Sequence, residues 1–582
     1  MFTKVDTVDV VFVQFPNKTV EIPSLGTAVL AGVLKKEGYK CVQYDYNVAL
    51  KDEFLRTDNL LQLREEVLPF LWERNLDNEA ICSQITFLRD LIVEISQIFS
   101  LNKLDEVKIL LQQREYEQIF LDTKSCEVFV KFIKLVSCSN HFFNMITISP
   151  EVEKSFPNLF VFKMIDSLFT QIQYKRPYFI GIPIVEMQRQ FSIWAIKKFR
   201  EDYGYGGKIV VGGSDVTYFM DGYLKNFSCL DYAIYQEGEI AIIKLLKYLK
   251  GESMSIEEIP NLIYRREQEV IINQPQIINN FEDIVPDFDD LPLDKYITHA
   301  LPIQASRGCS WGKCTYCKHF RTYGEKYYAG IPQKVVDQVS MLKQRYNTSL
   351  FHFVDDDFPS GLKNAIADEI LRRNIKIYWL TYSRLENGIT KEMLEKWHLA
   401  GLYVIEWGLE SASESVLRTV KKGINMKHVR RLLLEAHSVG ILNKVFMFHN
   451  LPSEDYDDLL SSVLFLKEYA QQGVIRVFWE ILTPLELLID TPLYNENMKS
   501  GQQGFKKVFK PRGELVAQGG YISKENYTIK KAILVEYISK LSHLGSENHI
   551  LETNDEAILF DVILEVLYEK HKNLKLKTRI TS

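Results

Sequence analysis

Cys309, Cys314 and Cys317 lie in the stretch Ala305-Ser-Arg-Gly-Cys-Ser-Trp-Gly-Lys-Cys-Thr-Tyr-Cys-Lys318, directly after the apolar segment Ala300-Leu-Pro-Ile303. Three thiolates on one short loop can ligate three irons of a [4Fe-4S] cluster and leave the fourth open, whereas structural clusters and structural zinc sites normally take four protein ligands. An open iron accepts a ligand brought from outside. The competing chemistry is a zinc knuckle, because His319 follows two residues after Cys317 and would complete a Cys3His set.

The elements that must position this loop read as repeated βα units. Val335, Val336, Val339 and Leu342 recur at helical spacing, and Ser349-Leu-Phe-His-Phe-Val354 reads as a buried strand ending at Asp355-Asp-Asp357. Helix 361–373, strand 375–382, helix 390–400, strand 402–409, helix 426–439, strand 442–449, helix 454–471 and strand 474–482 follow. Such a run gives a parallel sheet, open or curled into a barrel, with ligands at the carboxyl ends of its strands. The cysteine loop follows the first strand and so sits at that end.

Several stretches together carry a resemblance. Phe353-Val-Asp-Asp-Asp-Phe358, Trp407-Gly-Leu-Glu-Ser411, Lys421-Lys-Gly-Ile424 and Leu451-Pro-Ser-Glu454, following a three-cysteine loop, resemble the radical S-adenosylmethionine (SAM) superfamily, in particular its cobalamin-binding branch. The resemblance implies that the open iron binds the amino and carboxylate groups of SAM, and that an external electron donor of flavodoxin or ferredoxin type feeds the cluster. It places Asp355 and Asp356 near the SAM amino group, Glu410 and Ser411 near its ribose and carboxylate, and Arg384 near its carboxylate. The bland readings are that Asp355–Asp357 cap the next helix and that Glu410 is a solvated strand end. Two departures from the family's usual pattern stand out. Four residues, not three, separate Cys309 from Cys314, an excess that Gly308 and Gly312 could absorb through unusual backbone angles. In addition, His449 and Asn450 occupy a strand end where relatives often carry glycine.

The amino-terminal part reads as a doubly wound α/β sheet. Val8-Asp-Val-Val-Phe-Val-Gln14 is a short buried strand, Pro23, Ser24, Leu25 and Gly26 open a helix, and a second strand runs over 39–44. The pattern resumes with strand 178–184 and a helix near 188–202. Lys208-Ile-Val-Val211 then runs into Gly212, Gly213 and Ser214, and Tyr232-Ala-Ile-Tyr235 into Glu237 and Gly238. Glycines at strand ends let backbone approach a bulky ligand, although a lone Gly-Gly fits any nucleotide-binding domain of this class. The ordered set resembles cobalamin-binding domains. The Asp-x-His-x-x-Gly segment of base-on variants is absent, and residues 1–130 hold no histidine. The resemblance therefore implies base-off cobalamin without a histidine ligand.

The expected architecture is α/β: a Rossmann-like cobalamin-binding domain over 1–250 with a helical insertion at 50–172, then a linker over 251–299. A partial (β/α)6 TIM-like radical SAM barrel over 300–484 and a mixed, helical carboxyl-terminal region over 485–582 complete it. That last region combines a loop-like Gly501–Gly520 with helices near 524–543 and 554–571. At 582 residues and 46% hydrophobic content the chain can fill several cores. A net charge of −6 without a long basic run disfavours nucleic acid, and no stretch approaches a membrane span or a signal peptide, so a cytoplasmic protein is expected. By resemblance the activity is C-methylation of an unactivated carbon in a peptide or small natural-product precursor. One SAM would methylate cobalamin and a second would generate the substrate radical. Cyclisation or rearrangement with the same cofactors is one alternative, and a noncatalytic zinc-stabilised binding protein is another.

Overall fold

The computed structural model describes residues 7–16, 20–113, 123–278, 280–318, 322–324, 326–449, 451, 454–476, 482–485, 491–499, 505–507 and 521–523. The helices expected near 524–543 and 554–571 and most of Gly501–Gly520 lie outside the described residues, as do His319, Phe320 and Asn450. The described chain forms two compact units. One contains the residues up to Gln274 together with Pro286–His299, and the other Pro275–Val285 with the residues from Ala300 onward.

The first unit is built on seven strands: β1 (Val10–Gln14), β2 (Cys41–Asp45), β3 (Phe179–Pro183), β4 (Lys208–Gly212), β5 (Tyr232–Ile234), β6 (Leu262–Arg266) and β7 (Glu269–Ile272). Their order is β2-β1-β3-β4-β5-β6-β7. The first five are parallel, whereas β6 and β7 form an antiparallel hairpin that extends the sheet. Short runs such as Val10-Val-Phe-Val-Gln14 are buried throughout because helices cover both faces of a parallel sheet. Val10, Phe12, Phe179, Val210 and Ile234 pack with Leu34 and Leu245 in one core, each fully buried side chain contributing ~1.5–3 kcal/mol. Between β2 and β3 the chain is helical from Tyr46–Phe54 through Phe160–Lys175. Aromatics knit this insertion together, with Phe54 5.6 Å from Phe142, and staple it to helix Arg189–Glu201, with Phe143 6.0 Å from Phe191 between ring centres.

The strands of the second unit begin at β8 (Leu301–Ile303). β9 (Ser306–Arg307) pairs antiparallel with β10 (Tyr328–Ala329), flanking the cysteine loop. β11 (Leu350–Phe353), β12 (Tyr378–Arg384), β13 (Leu402–Glu410), β14 (Leu442–His449), β15 (Ile475–Arg476) and β16 (Leu482–Pro484) follow. The order is β8-β11-β12-β13-β14-β15, all parallel, with β16 also on β14. The strand expected over 474–482 appears as the two pieces β15 and β16, and residues 477–481 lie outside the described set.

Alternation along β13 and β14 separates two faces. Trp407 donates its indole N–H to Asn443 (2.8 Å), whose amide donates to the Leu433 and Val474 carbonyls on the helix-covered side. Glu406 and Lys444, paired in register, form a buried 2.8 Å ion pair on the opposite face, where Tyr382 stands opposite Glu406. His352 packs 5.2 Å from the Tyr382 ring, and burial drives its imidazole down to about 4, leaving it neutral. Among the described residues no helix is long and apolar enough to cross a membrane.

Candidate active site at the carboxyl end of the parallel sheet

The cysteine loop leaves the end of β8 through a junction built by two acids of the Asp355-Asp-Asp357 run. Asp355 is fully buried, and its carboxylate accepts from the Ala305 N–H (3.0 Å), the Ser306 N–H and the Ser306 hydroxyl (2.6 Å). Burial pushes its pKa up to about 7, with those hydrogen bonds pulling the other way. Asp356, the other acid expected near the SAM amino group, is exposed beside it. Asp357 holds the loop one step further on: it accepts from the Ser310 N–H (3.1 Å) and hydroxyl and lies 3.8 Å from the Cys309 sulfur.

Gly308 and Gly312 do take left-handed angles, φ +79° and +59°. A Cβ at Gly308 would sit 2.0 Å from the Lys326 carbonyl, so only glycine lets the loop start beneath the β10 segment. The three thiols are half-buried and form no disulfide. Burial raises Cys309, with Asp357 adding to the rise; burial also raises Cys314, opposed by the nearby Lys422. Among the described residues, no three His, Cys, Asp or Glu side chains converge tightly enough to hold a single metal ion. A [4Fe-4S] cluster takes each thiolate on a different iron and does not require that convergence. The donor set of three thiols on one half-buried loop fits such a cluster.

The loop is clasped from the other side by the turn after helix Glu414–Thr419. Thr315 donates from its N–H to the Val420 carbonyl (3.1 Å) and from its hydroxyl to that of Thr419 (3.2 Å). Trp311 donates its indole N–H to the Lys421 carbonyl (2.8 Å) and lays its ring over Gly423, where a Cβ would meet it at 2.3 Å. The Arg384 guanidinium stacks 4.3 Å from the Trp311 ring centre and donates to the Lys422 carbonyl (3.1 Å). Lys422 itself is buried and reaches Glu410 at 2.7 Å. Glu410 is the last residue of β13, at φ +74° beyond a register shift after Gly408. A Cβ at Gly408 would lie 2.9 Å from the Lys422 ammonium, so a missing side chain one row back leaves room for the pair. Burial pulls Lys422 down, but Glu410 and Cys314 more than offset it, and the net shift is upward.

The structure thus brings Arg384 and Glu410 to the cysteine loop. Ser411 is turned inward instead: its hydroxyl meets that of Ser462 (3.1 Å) and accepts from the Ser413 N–H (3.1 Å). His449 is buried at the end of β14. Asp357, Trp311, Lys422 and Gly423 carry contacts that reading of the sequence did not assign. The signals were present as the third acid of the Asp run, the extra loop residue and the Lys-Lys-Gly turn.

In the first unit the expected residues lie along the carboxyl edge of the parallel strands. Pro23, Ser24, Leu25 and Gly26 form the entry to helix Leu25–Lys36, with Gly26 open to solvent and nothing within 4 Å of a Cβ there. Gly212 ends β4; Gly213, at φ +101°, lies against the Ile184 backbone; Ser214 starts the next helix. Glu237 is buried, and Gly238 packs on Leu30. Beneath the Gly-Gly-Ser turn, Arg189 is paired with Asp215 in a buried bidentate bridge that Tyr223 also joins. The order β2-β1-β3-β4-β5 puts its switch point between β1 and β3, on the edge where such sheets bind ligands.

The Radical SAM superfamily matches residues 303–466, from the end of β8 into the helix after β14. This segment is a radical SAM domain. Such a domain uses three cluster-binding cysteines, SAM and an electron source, and Cys309, Cys314 and Cys317 lie within the matched segment. An uncharacterized methyltransferase of Pyrococcus horikoshii is 24% identical over 329 residues, covering 54% of this chain and 71% of the relative. Further curated relatives, among them a cytidylyl-2-hydroxyethylphosphonate methyltransferase of Streptomyces wedmorensis and two anaerobic magnesium-protoporphyrin IX monomethyl ester cyclases, align over 34% to 66% of their own length. The solved cobalamin-dependent radical enzyme OxsB, with aqua-cobalamin and S-adenosylmethionine bound, covers 98% of this chain and 72% of its own, at TM-score 0.61 and 15% identity. The radical SAM methyltransferase TsrM from Kitasatospora setae, with cobalamin and a [4Fe-4S] cluster bound, covers 94% of this chain and 93% of its own, at TM-score 0.58 and 14% identity. These likenesses establish a mixed α/β fold with parallel sheets shared with those enzymes.

Proposed function

We propose that this chain is a cobalamin-dependent radical SAM methyltransferase that modifies an unactivated carbon of a peptide or small natural-product precursor. The observation that carries the reading is the three-cysteine loop fixed at the carboxyl end of β8 by Asp355 and Asp357 and clasped by the 419–423 turn, whose Lys422 is paired with Glu410. Cys309, Cys314 and Cys317 would hold the cluster. Arg384 and Glu410 present the polar groups for the charged end and ribose of SAM, with Asp356 at the neighbouring strand end. In the first unit, the open Gly26, the backbone-packed Gly213 and the Gly238 turn supply side-chain-free edges that suit a bulky corrin, and no described histidine lies at these strand-end turns. The reading keeps cobalamin base-off and without a histidine ligand, as the resemblance to cobalamin-binding domains implies.

When bound, cluster and SAM supply an electron and a carbon radical able to take an unactivated hydrogen, and cobalamin supplies a methyl carrier. The protein's own residues do the rest. Asp355 and Asp357 fix the start of the loop, Trp311 covers it against water and holds Arg384, and Lys422 keeps Glu410 oriented within a buried site. An external flavodoxin- or ferredoxin-type donor fits the need for an electron from outside. Cyclisation is the second reading, favoured by the cyclases among the relatives. Incubation of reconstituted protein with SAM, cobalamin and a low-potential reductant separates the two. Release of S-adenosylhomocysteine supports methyl transfer; 5'-deoxyadenosine without any S-adenosylhomocysteine would overturn it in favour of the second.

A further inference from the structure

Gln14 is the last residue of β1, the strand at the switch point of the first unit's sheet. Strand alternation puts its side chain on the face of Val10 and Phe12, which pack with Ala31 and Leu34 of helix Leu25–Lys36. Its amide carbonyl is buried there without a partner, and the residue is 4% exposed. The neighbour in register, Asp45, has both carboxylate oxygens occupied, one by the Val48 N–H (3.0 Å) and the other by the Tyr296 hydroxyl (2.6 Å). Gln43 stands one row deeper, opposite Phe12, and repeats the deficit. Its amide nitrogen donates to the Asp287 carbonyl (2.8 Å), which fixes the orientation of the group, and its own carbonyl oxygen is buried with no donor. The Asp287 N–H reaches the Ala28 carbonyl (2.9 Å) in the first turn of the same helix. Gln43 is thereby tied to the turn that Pro23–Gly26 opens, and Gln14 stands one row nearer the carboxyl edge.

A buried amide carbonyl without a donor weakens the ligand-free fold, because the group has given up water and gained nothing in its place. Such a deficit has a use at the carboxyl edge of a doubly wound sheet, where a ligand can bring the donor. Cobalamin carries primary amides around its corrin ring, each with two N–H donors, and a glutamine amide is complementary to them. Resting on the cobalamin reading above, we propose that Gln14 is a cobalamin-binding residue whose carbonyl accepts an N–H from one of these ring amides. The cofactor completes a hydrogen bond that the polypeptide leaves open, so the same oxygen weakens the free protein and strengthens the complex.

The test compares the full chain with Gln14→Met, which keeps the side chain's length without its polar atoms, and with the shorter Gln14→Leu as an independent arm. In thermal unfolding without cobalamin, the variants should unfold at or above the wild-type temperature. Affinity for hydroxocobalamin, read from the absorbance change on titration, should weaken roughly 2- to 12-fold, the worth of one neutral hydrogen bond. The loss should recur with cobinamide, which keeps the ring amides and lacks the nucleotide. A lower unfolding temperature in both variants would mean that the carbonyl is already satisfied in the free protein, by ordered water for example, and would overturn the proposal. Unchanged affinity, or a loss confined to hydroxocobalamin, would overturn it too and leave the cobalamin reading standing. A wild-type protein that binds no cobalamin would overturn both.

Discussion

Gly423→Ala isolates the clasp on the cysteine loop. At φ +72° an alanine pays about 1–2 kcal/mol for left-handed backbone. Its Cβ would also sit 2.3 Å from the Trp311 ring, and overpacking of this kind costs about 1–3 kcal/mol. The ring can escape only by giving up the indole bond to the Lys421 carbonyl and its place under Arg384. The sum, about 2–5 kcal/mol, falls on the contact between residues 309–317 and 419–423 and not on the whole unit. Hydrogen exchange should therefore speed up roughly thirty-fold to a few thousand-fold for the Thr315 amide, whose partner is the Val420 carbonyl. Iron retention after reconstitution should fall in parallel. Gly361→Ala, where a Cβ meets nothing within 4 Å, is the matched control and should change neither. Adding Trp311→Ala to Gly423→Ala should return the steric part of the loss, leaving the backbone part. Exchange rates and iron content unchanged in Gly423→Ala would refute the reasoning.

Three further outcomes follow from the structure. Asp355 is pushed up to about 7 from an ordinary value near 4, so between these pH values the folded state keeps a proton that the unfolded state has lost. Its contribution to stability thus falls as pH rises from about 4 to about 7, by ~4 kcal/mol, and is level above. Asp355→Asn should flatten that slope in urea titrations, and an identical slope would count against it. Lys444→Met should destabilise the second unit by about 3–5 kcal/mol by stranding buried Glu406, while the Lys444→Met, Glu406→Leu double variant should recover most of the loss. An EPR spectrum of the cob(II)alamin form should lack nitrogen superhyperfine coupling, whereas its presence would contradict the base-off, histidine-free expectation.

Much of the second unit was legible because its strands end in chemistry. Runs such as Leu442–His449 have the buried composition of parallel strands, and the observed helices Ser360–Arg372 and Met426–Ser438 fall within a residue of the expected ones. Strand β12 was placed early, at 375–382 against the observed Tyr378–Arg384, because Ile375 and Ile377 extend the apolar pattern before the ladder begins. The helical insertion starts at Tyr46, earlier than expected, since Asp45 ends β2 and caps the helix by accepting from the Val48 N–H.

At the site, residue types were easier to read than side-chain directions. Spacing singles out Glu410 and Ser411 as neighbours, but the backbone turn at Glu410 sends one side chain to Lys422 and the other to Ser462. Asp355, expected near the SAM amino group, has its carboxylate taken up by the amides of Ala305 and Ser306 beyond the end of β8, a pairing that spacing does not reveal. Lys422 and Gly423 were visible as a motif, yet their partners lie 12 and 112 residues away, at Glu410 and Trp311, and only folding reveals such pairings.

The central claim is that the widened three-cysteine loop supports radical SAM chemistry. Mass spectrometry of anaerobically reconstituted protein with SAM, hydroxocobalamin and a low-potential reductant tests it most directly, with Cys314→Ala as control. The account predicts 5'-deoxyadenosine from the wild type and none from the control. Wild-type protein loaded with iron and cobalamin that leaves SAM uncleaved, with donor and candidate substrates present, would contradict it.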